Sequence, residues 1–501
     1  MSRATSSSPI PAAGLQDVAA RRGSGLADLL KAVAVIALAA AILLLPAAVT
    51  GEPWLYPDAR AYLVVGQNEL AAVGIHGAAV GVAGPQHASG AFALLAARSP
   101  TWSLMAYLLS RPGVWAPVVA QALILAWTLR LLLRVAAPAA RVGAYLALAA
   151  GLTALSTAGA VAGLLMPDLF VPLAVIAGVT LVAYWDRLNG GERGALLILL
   201  AAAVGFHTTV GPIALVAAAV AGLALGAARR GKVRTLRAGA AVLAAAAIGQ
   251  GAIMGIFAVE SHKLRAPILQ PPFLTARLLA DGPGRVYLRR ACAAGVAYEL
   301  CRYKDKPFQD ALQILWSSDP ATGVFTPADG PSRLALDLEQ PRFVAAVIRD
   351  DPAGVLAAAA RNSLATLTDV SLSTVTGFRA RSLIGAASDP RPLFGVSPFC
   401  WRTTGAPCGK TTAQAAWEDV IAVTAGLSGL GIALAAFGRR AWRPDPRTLA
   451  VCAAFVAAIL VNAALCGALS NPDPRLNIRI LWLAPLAFGL ILVQARRPPR
   501  R

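Results

Sequence analysis

Residues 30–63 read LKAVAVIALAAAILLLPAAVTGEPWLYPDARAYL. The first part, 30–50, carries Lys31 as its sole charge. It is long enough to cross the hydrocarbon of a bilayer, which takes roughly 20 apolar residues at about 1.5 Å of rise each. It is too long for a signal-peptide core and no clear cleavage site follows, so it reads as an anchored first span. The stretch Trp54-Leu55-Tyr56-Pro57-Asp58-Ala59-Arg60-Ala61-Tyr62-Leu63 comes directly after it and puts an acid, Asp58, just beyond the membrane.

Outward from there, the whole chain has the same character. It has 501 residues, 57% of them hydrophobic and 14% charged, with a mean hydropathy of +0.63. Too little polar surface exists to cover a soluble core of that size. Much of the apolar content is Ala and Gly, which suits helices packed closely through small residues. Further apolar runs lie at 114–133, 142–164, 168–185, 194–206, 210–228, 238–259, 419–437, 449–470 and 480–494. The expected fold is an all-α polytopic membrane protein with about ten transmembrane helices. The runs that meet at Gly205-Phe206-His207-Thr208-Thr209-Val210-Gly211-Pro212 fit either two full crossings or a short broken pair.

Five segments are expected along the chain. They are a polar N-terminus (1–29), a transmembrane module (30–259) with an outer loop at 51–112, an outer helical domain (260–418), C-terminal transmembrane helices (419–495) and a basic tail (496–501). Connectors on the N-terminal side hold 22 Lys and Arg against 5 Asp and Glu, so about +17 of the formal +20 lies on one face. The positive-inside rule makes that face, with both termini, cytoplasmic. The basic clusters are therefore topology signals that also touch anionic lipid, and no interleaved aromatic stripe points to nucleic acid. The cytoplasmic connectors show no P-loop and no dinucleotide fingerprint.

Polar chemistry gathers on the other face. Cys292, Cys301, Cys400 and Cys408 fall in the long outer segment, and their short spacings favour Cys292–Cys301 and Cys400–Cys408 disulfides among three pairings. Cys452 and Cys466 lie in the ninth span and read as small packing residues. Asp351-Pro352 marks a helix start, and Val355, Leu356 and Leu364 fit one amphipathic helix.

Asp58 and Asp168 each follow a proline and precede a helical run, so each fits a helix cap and a catalytic carboxylate alike. Tyr56 and Tyr62 flank Asp58, and a carboxylate at such an interface is suited to act as a base. Arg475 and Arg479 stand four apart on one helical face, where planar forks suit a phosphate; snorkelling to head groups, or pairing with Asp473, is the alternative. His207 at its turn fits a metal ligand, a substrate-orienting group or a structural histidine. Lys263 and Arg265, past the seventh span, fit a donor phosphate or plain solvation. His76 and His87 flank a glycine-rich piece at 77–84, and Glu69 is a second acid three turns beyond Asp58.

An acid just past the first span, a Pro-Asp between the third and fourth spans, and a late Asp-Pro-Arg turn before Leu-Trp-Leu-Ala-Pro-Leu together resemble the GT-C membrane glycosyltransferases. Within them the chain is most similar to the bacterial polyprenyl-phosphate-sugar-dependent group that includes aminoarabinose, mannosyl and galacturonosyl transferases. The resemblance spans the chain in layout and rests on short motifs. It implies Asp58 in the place of the first-loop acid and Asp168 in that of the second-loop acid. It also implies a polyprenyl-phosphate-linked sugar donor, a lipid, glycan or protein acceptor, and a Gram-negative inner membrane with the site on the periplasmic side. The chain departs from the pattern in lacking a paired Asp-Glu or Asp-x-Asp in the first loop, which leaves a divalent cation at Asp58 and Asp168 open. Two other readings stand beside it: a transporter or flippase of lipid-linked precursors, and a glycan polymerase or ligase of similar architecture.

Overall fold

Apolar stretches that exclude proline from their interiors become helices, and prolines mark where those helices begin. The computed structural model describes residues 13–72, 94–227, 232–265, 267–372, 412–438 and 444–495. The expected Cys400–Cys408 pair, His76, His87 and the glycine-rich piece lie outside the described residues.

The first half of the chain contains α1 (Ala13–Leu43), α2 (Leu45–Thr50), α3 (Pro57–Ala72), α4 (Pro100–Ser110), α5 (Trp115–Ala136) and α6 (Val142–Leu155). It continues with α7 (Ala158–Ala162), a 3-10 turn at Pro167–Leu169, α8 (Phe170–Tyr184), α9 (Gly190–Phe206), α10 (Val210–Ala227) and α11 (Lys232–Leu264). A middle segment holds α12 (Phe273–Asp281), α13 (Pro283–Ala293), α14 (Ala311–Trp316), α15 (Gly330–Asp350) and α16 (Pro352–Thr368). The last described helices are α17 (Thr412–Phe437), α18 (Pro446–Leu469), α19 (Pro474–Leu481) and α20 (Leu483–Ala495).

Seven helical stretches among the described residues are long and apolar enough to cross a membrane: Trp115–Ala136, Pro167–Arg187, Val210–Ala227, Val233–Lys263, Thr412–Phe437, Pro446–Leu469 and Pro474–Ala495. The chain is an all-α membrane protein. The other three expected runs lie outside this set, and a local feature shapes each. The run at 30–50 belongs to α1, which is 31 residues long and ends at Leu43, and its last residues form the separate helix α2, with Pro46 in the first turn. The run at 142–164 ends its first helix at Leu155, because the Ser156 hydroxyl turns back to Leu152 O and Thr157 Oγ1 donates to Ile478 O at 2.5 Å. The third, α9, has 17 residues and opens with an Asn189–Glu192 capping box, so charge occupies its first turn.

At the centre stands α8, buried on every side. A helix apolar all round belongs inside a bundle, and α8 packs against α5, α9, α10, α11 and α18. Small residues permit the closest approaches: a Cβ on Gly249 of α11 would fall 2.2 Å from Ala201 O of α9. The outward faces carry Leu223 (74% exposed) and Ile248 (68% exposed), as lipid contact requires. A second core, built on Leu279, Leu288, Leu300, Phe308 and Phe343, fills the middle segment, where the expected Cys292–Cys301 disulfide is present.

Two short parallel pairings tie distant parts of the chain together. Leu94 and Leu95 pair with Ile268 and Leu269. Trp54 pairs with Leu164: its N–H donates to Gly163 O at 2.9 Å, and Leu165 N–H donates to Trp54 O at 2.9 Å. Gln121 of α5, itself buried, donates its Nε2 protons to Ala162 O at 2.9 Å and Leu164 O at 2.6 Å, holding that strand in place.

Candidate functional site

The Trp54–Leu164 bridge sets two acids side by side. Asp58 and Asp168 are each four residues beyond it, and each stands in the first turn of a helical element opened by a proline. Arg475 joins them from the first turn of α19, which Pro474 opens and Asp473 caps by accepting from Arg475 N–H at 2.8 Å. Its Nη1 donates to Asp168 Oδ2 at 3.3 Å, and its Nη2 is 3.9 Å from Asp58 Oδ2. The Tyr56 ring lies under this guanidinium at 4.0 Å, while the Tyr56 hydroxyl donates to Asp473 at 3.0 Å. Neither aspartate's side chain accepts a backbone N–H among the described residues; their carboxylates face arginines instead.

The cluster has a shallow and a deep end. At the shallow end Asp58 is paired with Arg98, and both keep about a fifth of their side chains exposed, at 23% and 19%. Arg98 lies over Tyr62 at 5.8 Å and over Trp316 of α14 at 5.7 Å, so the middle segment reaches down to the site. Burial pushes the Tyr56 and Tyr62 hydroxyls above the ordinary tyrosine range. At the deep end Asp168 (2% exposed) faces Arg479 (0% exposed) at 3.6 Å. Arg479 is buried yet well supplied with acceptors: Asn462 Oδ1 at 2.8 and 3.1 Å, Thr209 Oγ1 at 3.3 Å and Cys466 Sγ at 3.2 Å. Cys466, expected only to pack, therefore contributes to holding the charge.

His207 flanks the deep end. The Thr209 backbone N–H donates to its Nδ1 at 3.2 Å, so Nδ1 carries no proton and the ring's N–H is at Nε2. Burial first, then the positive field of Arg479, lowers this histidine to about 3, and it is neutral at physiological pH.

One pattern runs through five of these residues. Asp58, Arg98, Asp168, Thr209 and Arg475 each lie at, or one or two residues before, the N-terminal end of a helical element. Helix N-termini carry partial positive charge and unpaired N–H groups, and three guanidinium groups add to that field. Three guanidinium groups and two carboxylates thus meet among helix starts, with Asp58 at the accessible side.

Other candidates stand apart. Lys263 and Arg265 are exposed at the end of α11, and no hydrogen bond or ion pair of the cluster involves them. Glu69 lies near Glu260 at the far end of α3. A divalent cation does not fit the donor set: three arginines already share the two carboxylates, and among the described residues no three His, Cys, Asp or Glu side chains gather. Arg98, Asn462 and Thr209 are participants the sequence reading passed over. The signal for Arg98 was its isolation, since it is the sole Lys or Arg between Arg60 and Arg111.

No family model, no curated protein and no solved structure matches the chain.

Proposed function

We propose that this chain is a GT-C-type membrane glycosyltransferase. It moves a sugar from a polyprenyl-phosphate donor to an acceptor hydroxyl on a lipid, glycan or protein at the extracytoplasmic face. The observation that carries the reading is the meeting of Asp58 and Asp168 around Arg475, with Arg98 alongside. Transfer from a lipid phosphate needs a base for the acceptor proton and cations for the leaving phosphate. Asp58, at the open side of the cluster, takes the proton. The acceptor oxygen attacks the anomeric carbon in line, forming the new glycosidic bond as the bond to phosphate breaks, with inversion. Arg98 and Arg475 receive the charge on the departing phosphate, since guanidinium forks match phosphate oxygens. Asp168 and Arg479 keep Arg475 in position, and the neutral His207 offers an Nε2 proton to a sugar or phosphate oxygen.

The reading keeps the helices of the other three runs as crossings beside the seven, with both termini cytoplasmic in an inner membrane, as the basic connectors direct. A transporter of lipid-linked precursors is less well served, because the spans hold few central charges and the polar groups gather at one interface. The test is Asp58→Asn, which keeps the shape and removes the base. In cells expressing the variant at the normal level, the glycosylated lipid or glycan is expected to fall by about 10²-fold or more. Unchanged product would remove Asp58 from the mechanism. In vesicles, the purified chain with undecaprenyl-phosphate sugars separates transfer from translocation.

A further inference from the structure

Helix α16 runs between the two cores. Near its start Val355 packs against the core of the middle segment, and near its end Leu367, followed by Val370, packs against the transmembrane core. In between it is pressed onto α18, one of the seven candidate spans. A Cβ on Gly467 of α18 would fall 2.3 Å from Ser363 N, so the two backbones nearly touch. At its end, Leu367 O and Asp369 O accept from Asn477 Nδ2 of α19 at 3.0 and 2.9 Å. This helix therefore descends alongside a membrane-crossing helix and finishes among the spans.

Among the described residues nothing covers its outer face. Leu356 is 71% exposed and Leu364 61% exposed, and Ala357, Ala360 and Ala365 are exposed beside them. Arg361 is the one charge between the two capping acids of α16, Asp351 and Asp369. The preceding helix is different: α15 carries Arg333, Asp337, Glu339, Arg342, Arg349 and Asp350, as a water-facing helix does. Leu460 and Leu469 of α18, the candidate span that α16 lies against, are also exposed, as the lipid-facing side of a spanning helix is. Apolar area left in water costs about 25 cal/mol per Å², and acyl chains remove that cost without requiring a protein partner.

We infer that α16 is immersed in the acyl chains of the bilayer and plants the middle segment in the membrane, with Arg361 reaching back to the head groups. This does not depend on the proposed activity. The test places nitroxide labels at L356C and L364C, with A360C as a third site, in the full chain with Cys400, Cys408, Cys452 and Cys466 changed to serine. The protein is reconstituted in vesicles of phosphatidylethanolamine and phosphatidylglycerol, and K304C on the middle segment is the water-exposed reference. The ratio of collisions with oxygen to collisions with a water-soluble nickel chelate is expected to be several-fold higher at 356, 360 and 364 than at 304. Equal ratios would overturn the inference by placing the face in water. Immobile labels shielded from both reagents would overturn it too, by showing a second copy or another part of this chain on the face.

Discussion

Arg475 is the side chain on which two acids, 110 positions apart in the chain, converge, and what it touches explains why it is held so firmly. A tyrosine ring under the guanidinium, a capped helix start behind it and carboxylates on two sides leave it little freedom. Glu69 is the opposite case. It lies on α3 outside the seven spans, its Oε1 has no hydrogen-bond partner, and burial, then Glu260, pushes it up to about 9. The folded chain thus keeps a proton that the unfolded chain gives up near 4.5. Stability contributed below that pH is lost as pH rises towards about 9. Glu69→Gln is expected to flatten this fall and to raise the melting temperature at pH 8 relative to the parent, while changing little at pH 4; thermal unfolding at the two pH values checks it. Asp58, Asp168 and Arg475 were legible because acids and arginines beside prolines at the ends of apolar runs are costly and few, and Arg479 because it stands one helical turn beyond Arg475. Arg98 was not, because nothing local in Ala97-Arg98-Ser99-Pro100 tells which acid, 40 residues earlier, it will meet.

Helix starts gather at the site, and much of that was written in dipeptides: Pro57-Asp58, Ser99-Pro100, Pro167-Asp168 and Asp473-Pro474. The apolar runs placed most helices to within a few residues. Their breaks were harder to read, because Ser156 and Thr157 stop a helix only by finding carbonyls, and Thr157's lies at Ile478. Hydropathy averages cannot register an acceptor that far along the chain. Gln121 makes the same point within a span. Inside α5 it looks like a tolerated polar residue, yet it satisfies two carbonyls of the strand that precedes Asp168. Gln121→Leu keeps the volume and removes both bonds. It is expected to cost about 1–3 kcal/mol, read as a lower melting temperature in detergent at unchanged expression, because the stranded carbonyls stay buried.

Over the whole molecule, two cores divide the labour. The transmembrane core supplies Asp58, Asp168, Arg475 and Arg479 from three separate elements, and the middle segment, clasped by Cys292–Cys301, contributes Trp316 over Arg98 and the Arg277–Asp281 pair. Arg277 Nη1 donates to Asn471 Oδ1 at 2.8 Å and Asn362 donates to Asp281 at 3.0 and 3.1 Å, fastening that segment to the turn before Arg475. The Trp54–Leu164 pairing reaches furthest in its effects. Because the strands run the same way, the two arms leave a common origin and count equal steps to their acids, as two rulers do when aligned at zero. Adding one alanine after Leu55 lengthens one arm alone, by about 3.3 Å of extended chain, and carries Asp58 out of step with Asp168; adding another after Leu165 as well restores the count. Product formation is expected to collapse with either single insertion and to recover in part with both, a rescue that measures phase between two halves of the chain and owes nothing to the identity of any side chain.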